Sequence, residues 1–211
     1  RHPIPMLVFS FNEFEAVAQD REYGYDLEYG SFVAPYGDGK VADFYLKYTW
    51  EENEKRVLIT ATLRFPNEKD GAYIIDLDPN AELKSPYHAD PDASYDRELV
   101  FSTVWTKFPA GNRDRTEYLK TLSKKHGLIL RTRSVVDSEG RLLQANYGKF
   151  YGEMIVEGHE SSHIFFCGAH NGVATYFNPV VNDTNLEFDG KSASALQKGK
   201  RDPDVGLWKY R

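Results

Sequence analysis

The segment from His159 to His163 carries the most specific chemical pattern in the chain, because its letters His-Glu-Ser-Ser-His match the zinc-protease motif H-E-x-x-H. In that motif two histidines on one helix face converge on zinc, and the glutamate acts as general base. Here Gly158 precedes the motif and alternating apolar runs flank it, which favours a hairpin with its loop at about 158–162. A zinc site of another kind stays open, in which His159 and His163 meet His170 at the hairpin mouth.

An acidic loop offers a second candidate metal site. Asp90, Asp92 and Asp96 place carboxylates close together in the sequence, as a calcium site requires. The loop does not fit an EF-hand, because Tyr95 stands where glycine is needed and Phe101 where the last glutamate is needed. Two interpretations remain: a calcium site of different geometry, or an Asx-turn loop in which the carboxylates accept hydrogen bonds from nearby backbone.

Paired carboxylates are the third candidate, because glycoside hydrolysis needs one acid and one nucleophile or base. The best pairs are Glu153 with Glu157 and Glu187 with Asp189. If the segment 182–189 is extended, its acids share one face and its apolar residues share the other. That pattern predicts an edge strand with an acidic face, and the alternative is that this face is simply solvated.

Aromatic residues alternate with polar ones in two stretches and could stack on a sugar. Tyr48 and Trp50 come from one predicted strand, and Tyr147 and Tyr151 from another. Flat rings with a polar group suit glycan binding. The competing interpretation is that these rings form core or cross-strand pairs.

Cys167 is the single cysteine, so the chain has no internal disulfide. It lies four residues after His163 and could share a strand face with it, but its apolar neighbours favour an inert buried thiol. The sequence contains no nucleophile elbow, phosphate loop or dinucleotide fingerprint. Serine hydrolase, P-loop and dinucleotide-dependent activities therefore have no support.

The charge distribution argues against nucleic acid as a partner. The net charge is −6, whereas binding to phosphate backbones needs clustered Lys and Arg. Residues 68–98 hold nine acids against three bases, and a basic tail follows at about 195–211. No apolar run approaches the roughly 18–20 residues of a membrane helix. Because the sequence starts with Arg1, it is either a trimmed chain or a product of leader removal.

The elements that must position these residues are mostly strands. Apolar residues alternate from Lys40 onward, and polar breaks at 51–55 and 66–71 predict three consecutive strands in a meander. One helix is expected at 113–126, where Asp114 and Glu117 suit a capping box and Gly127 a C-cap. The pattern predicts a single all-β domain over 1–211, an antiparallel sandwich or open barrel of about eight to ten strands, with a long acidic loop at 78–94.

Two classes of function follow from these patterns. The first is a non-catalytic binding domain that recognises glycan or protein, with a secreted, periplasmic or cell-surface location as the working expectation. The alternative is a hydrolase that uses a histidine metal site or a carboxylate pair. Calcium and zinc are the cofactors that these sites would take.

Overall fold

The computed structural model describes residues 7–11, 14–16, 19–76, 88–107, 113–119, 126–151, 154–160, 163–168 and 173–187, with side chains over 19–76, 88–104, 126–150 and 175–187. This part of the chain contains fourteen strands. They are β1 (Leu7–Phe11), β2 (Phe14–Ala16), β3 (Tyr23–Asp26), β4 (Ser31–Phe32), β5 (Phe44–Glu52), β6 (Arg56–Arg64), β7 (Gly71–Asp76), β8 (Glu98–Lys107), β9 (Arg113–Leu119), β10 (His126–Val136), β11 (Leu142–Tyr151), β12 (Met154–Glu160), β13 (His163–Gly168) and β14 (Val173–Asn178).

The strands form three antiparallel sheets. The five-stranded sheet has the order β1-β14-β11-β10-β7, the six-stranded sheet β4-β3-β5-β6-β8-β9, and the small sheet β12-β13-β2. Period-two alternation explains the strands, since β6 buries every second residue and exposes or half-buries those between. The predicted all-β antiparallel fold is confirmed, and the described residues contain no helix.

The predicted meander is only half correct. β5 and β6 form the expected hairpin, with Glu52 opposite Val57 at its turn. β7 does not continue that sheet, because it pairs with β10 in the five-stranded sheet, while β8 takes the place beside β6. The chain therefore crosses from one sheet to the other between β6 and β7.

The helix predicted at 113–126 is wrong over most of its length. Arg113–Leu119 is strand β9, which pairs with β8 from Lys107 opposite Arg113 to Ser102 opposite Leu119. His126 already belongs to β10. The capping signals are real local preferences, but the open edge of β8 offers a ladder of backbone hydrogen bonds that overrides them.

The core lies between the five-stranded and six-stranded sheets. Phe44 on β5 and Phe150 on β11 meet edge to face across this interface, with ring centroids 5.5 Å apart. The same cluster includes Leu46 and Ile59 from one sheet and Leu130 from the other, all with no exposed surface. Burial of such side chains contributes roughly 1.5–3 kcal/mol each.

A second cluster covers the opposite face of the five-stranded sheet. It contains the fully buried Ile129 and Tyr176, together with Leu186 and Ala89 from loops. The five-stranded sheet is thus buried on both faces. Its strands accordingly bury consecutive residues, as in the run from Gly127 to Thr132.

Candidate functional site

The most prominent surface feature is a group of exposed apolar side chains at one end of the five-stranded sheet. Among the described side chains, eight large hydrophobic residues are exposed, and four of them come from this end. We call Val135, Leu143, Val180 and Val181 the apolar end; each is about half exposed. Val135 is the penultimate residue of β10, Leu143 is the second residue of β11, and the two other valines follow β14.

Asn182 fastens two of these segments together, the loop after β14 and the start of β11. Its amide nitrogen donates to the Leu143 carbonyl over 3.0 Å, and its side-chain oxygen accepts from the Ala145 backbone over 2.9 Å. Its own backbone N–H donates to the Ala145 carbonyl over 2.8 Å. Asn182 has φ +61°, a conformation that asparagine tolerates better than most residues. The loop bearing Val180 and Val181 is therefore held against the start of β11.

Val135 is positioned by an irregularity in β10. The pairing of β10 with β11 shifts between Thr132 and Val135 and shifts again between Val135 and Val136. Arg133, inside the first shift, has φ +54°. Bulges of this kind redirect the side chains that follow them.

Arg133 is held by three carboxylates from the segment that runs from the end of β3 to the start of β5. We call Asp26, Glu28, Asp43 and Arg133 the ion cluster. The guanidinium donates to both Asp43 oxygens, with Nε 2.8 Å from Oδ1, to Asp26 Oδ1 over 2.9 Å and to Glu28 Oε2 over 2.6 Å. Two of these carboxylates are almost fully buried, and only that of Glu28 is half-buried.

Backbone groups complete the ion cluster. Asp26 Oδ2 accepts from the N–H groups of Lys40 and Val41, and its Oδ1 from those of Glu28 and Tyr29. Such bonds satisfy a buried charge that would otherwise be costly. The cluster fixes both loops that flank β4 and ties them to β10.

Burial lowers the pKa of Arg133, but its hydrogen bonds and charge contacts with Asp43 and Glu28 outweigh burial and leave the pKa above the ordinary value. Burial raises the pKa of Asp43, and the guanidinium of Arg133 opposes that rise. Arg133 therefore keeps its positive charge although it is partly buried.

Lys149 is a buried amine on the outer face of the five-stranded sheet. It lies opposite Ile129 on β10 and Tyr176 on β14, and only 1% of it is exposed. Its ammonium nitrogen is 5.2 Å from the centroid of the Tyr176 ring. Desolvation lowers the pKa of Lys149 to about 8.

The predicted histidine site lies on a hairpin, as expected. β12 ends at Glu160 and β13 begins at His163, which pairs with Glu160, so His159 and His163 stand on two strands and not on one helix. This geometry contradicts the helical zinc-protease interpretation. The two histidine side chains and all of His170 lie outside the described residues, and their zinc site stays a prediction.

The predicted calcium residues Asp90, Asp92 and Asp96 are described, and the carboxylate of Asp90 has a backbone partner. Asp90 Oδ1 accepts from the Asp92 backbone over 2.9 Å, which is an Asx turn. Asp96 exchanges two backbone hydrogen bonds with Ala72. Among the described side chains, no three His, Cys, Asp or Glu residues are placed to hold a metal ion. Asp90 therefore forms an Asx turn of the kind that the alternative interpretation predicts, and the calcium site stays a prediction.

The aromatic residues proposed to stack on a sugar are largely buried. Tyr48 has no exposed surface, and Tyr147 has only 2%. Trp50 is half-buried against the core and donates its indole N–H to Glu52. The side chain of Tyr151 lies outside the described residues. Tyr48 and Tyr147 are therefore core residues, which corrects their assignment to an exposed platform.

The remaining candidates are placed less completely. Residues 182–187 form a turn and an irregular segment with one bridge from Asn185 to His88, so the predicted edge strand is wrong over these residues. Glu187 is half-buried there, while Glu153 and Asp189 lie outside the described residues. Glu157 is on β12 and Cys167 on β13, and their side chains are likewise not described. The loop at 78–87 and the tail at 195–211 are also outside.

Comparison with known proteins adds no assignment. No protein-family model matches the chain, and neither a curated protein nor a solved structure matches it significantly. The described residues include no helix long and apolar enough to span a membrane.

Sequence analysis missed both the apolar end and the ion cluster. One signal was available for the first. Val135-Val136 is an adjacent apolar pair at the end of β10, and neighbouring strand residues point to opposite faces. Val180-Val181 is a second adjacent apolar pair, in the turn after β14. The ion cluster had no such signal, because Arg133 is 90 residues from Asp43 and 107 from Asp26.

Proposed function

We propose that this chain is a non-catalytic interaction domain that recognises a protein partner through the apolar end. The observation that carries the proposal is the gathering of Val135, Leu143, Val180 and Val181 at one end of the sheet, all about half exposed. Large exposed apolar side chains gathered near one end of a domain and flanked by polar residues are typical of protein-binding surfaces.

The surroundings of the apolar end support this function. Asn182 and the ion cluster hold its segments in place before any partner binds, and preorganisation reduces the ordering cost of association. The polar rim includes Asp137, Glu139 and Arg141, which are joined by ion pairs at the β10–β11 turn. A protein partner suits this surface better than a glycan, since the apolar end is aliphatic and offers no ring for stacking.

Site-specific photo-crosslinking tests the proposal. A benzophenone amino acid replaces Val181 in one variant and Val100 in another; Val100 is similarly exposed but lies on β8 of the six-stranded sheet. In an extract of the native cells, the Val181 variant is expected to crosslink one defined protein that the Val100 variant does not. The same products from both variants, or none from the Val181 variant, would contradict the proposed surface.

A further inference from the structure

The shifts between β10 and β11 cancel each other. Three pairs define them: Thr132 with Asn146, Val135 with Gln144, and Val136 with Leu142. The first shift has one extra residue on β10, and the second has one extra residue on β11. The pairing on both sides is therefore in the same register, and only the segment between is displaced.

A regular ladder is consequently available to the same sequence without a change in the strand pairing on either side. In that ladder Arg133 would stand opposite Ala145, and Val135 would stand opposite Leu143. Both arrangements keep the pairs at Thr132 and Val136. A one-residue slip moves side chains to the opposite face of a sheet.

The bulge decides on which face Arg133 lies. Leu130 packs in the core between the sheets, whereas Ile129 packs in the cluster on the outer face. Strict alternation from these residues would put Arg133 on the outer face. Instead its guanidinium lies 5.1 Å from the centroid of Phe177, a core residue, and reaches the carboxylates of the ion cluster.

The displaced segment of β10 contains features that are locally unfavourable in free energy. A left-handed conformation is unfavourable for arginine, by about 1–2 kcal/mol. The hydroxyl groups of Thr132 and Ser134, on either side of Arg133, are buried and have no hydrogen-bond partner among the described residues. Strained residues of this kind persist only where the surrounding structure holds them.

Two acidic anchors hold the displaced segment. The ion cluster draws Arg133 to the inner side, and buried Asp70 accepts from the Ser134 backbone over 2.8 Å. Asp70 thereby satisfies an N–H that belongs to the irregular part of the strand. The carboxylates of both anchors come from outside the β10–β11 hairpin, with Asp26 at the end of β3 and the others in loops.

We propose that the end of the β10–β11 hairpin is a two-state register element, and that the ion cluster selects the bulged state by drawing Arg133 across the sheet. Loss of the cluster returns Arg133 to the outer face and sets Val135 directly against Leu143. The positions of Val135 and Leu143 relative to each other therefore differ between the two states. Control of partner binding by this change rests on the proposed function of the apolar end.

Disulfide trapping tests the register directly. In a Cys167→Ser background, one variant carries cysteines at 135 and 144 and a second carries them at 135 and 143. Each is equilibrated with oxidised and reduced glutathione, so that two thiols form one disulfide as one oxidised glutathione is reduced to two thiols. Directly opposite residues of an antiparallel pair have Cα atoms about 4.5–5.5 Å apart, which lies within the range of roughly 4.4–6.8 Å that disulfides span.

With Arg133 present, the 135–144 pair is expected to form its disulfide at a less oxidising glutathione ratio than the 135–143 pair. Adding Arg133→Gln is expected to reverse that order. The same order in both backgrounds would overturn the proposal. Neither measurement needs a partner, so this result is independent of whether Val181 crosslinks a protein.

Glu28→Gln provides a milder variant in case Arg133→Gln does not fold. It weakens one bond to Arg133 at a half-buried position and leaves both buried aspartates in place. The 135–143 disulfide is expected to become easier to form relative to the 135–144 disulfide, in the same direction as for Arg133→Gln and to a smaller extent. An unchanged ratio would overturn the proposal.

Discussion

The stability of the wild-type chain is expected to rise between about pH 8 and pH 9.5, and replacing Lys149 by methionine is expected to remove that rise. Lys149 is buried in the second cluster beside Tyr176, and desolvation lowers its pKa from 10.5 to about 8. Between these values the unfolded chain binds more protons at this amine than the folded chain does. Stability therefore increases with pH in that window.

The size of the effect follows from the two pKa values. Their full difference corresponds to about 3 kcal/mol of unfolding free energy, and about 2 kcal/mol of it is regained by pH 9.5. Above that pH the buried tyrosines oppose the rise in unfolding free energy. Burial raises the pKa values of Tyr48 and Tyr147, so stability is lost once the unfolded tyrosines ionise near pH 10.

Urea denaturation at a series of pH values from 7 to 9.5 measures this dependence. Lys149→Met is expected to be more stable than wild type at pH 7, by about 1–3 kcal/mol, and to lose the rise. Lys47→Met is the matched control, because Lys47 is only half-buried on β5 and its ammonium group pairs with the exposed carboxylate of Asp20. If Lys149→Met keeps the wild-type slope, the reasoning about the buried amine is refuted.

Two further predictions concern packing and charge. Asp43→Ala is expected to cost about 3–5 kcal/mol in urea unfolding, because Arg133 would lose its most buried partner, and a loss below about 1 kcal/mol would contradict that role. Gly148→Ala is expected to cost about 1–3 kcal/mol, because a Cβ there would lie 2.6 Å from the Tyr176 carbonyl oxygen. Gly140→Ala, at φ +77° with open space around it, should cost only about 1 kcal/mol; equal losses at the two glycines would argue against a steric cause.

The sequence predicted those elements whose signals are local. The β5–β6 hairpin follows from alternating residues on either side of a polar break, and its pairing confirms that reasoning. The segment at 113–119 shows the opposite case. Its capping residues favour a helix, but pairing with β8 is a contact between distant parts of the chain that local preference cannot register.

The candidate site depended on long-range contacts even more strongly. Neither the bulge at Arg133 nor its partners in the 26–43 region can be inferred from neighbouring residues. The burial of Tyr48 and Tyr147 was equally hidden, because an aromatic residue in a strand reads the same whether its ring faces a core or a ligand. The adjacent valines at 135–136 and 180–181 were the one usable clue.

The most direct test of the proposed surface is the affinity of the crosslinked partner for two matched variants. Isothermal titration calorimetry on Val181→Asp is expected to show binding weakened about tenfold or more, since a charge would enter the apolar contact. Val100→Asp, on the six-stranded sheet, is expected to bind as wild type does. Equal affinity of the wild-type chain and Val181→Asp would contradict recognition through the apolar end.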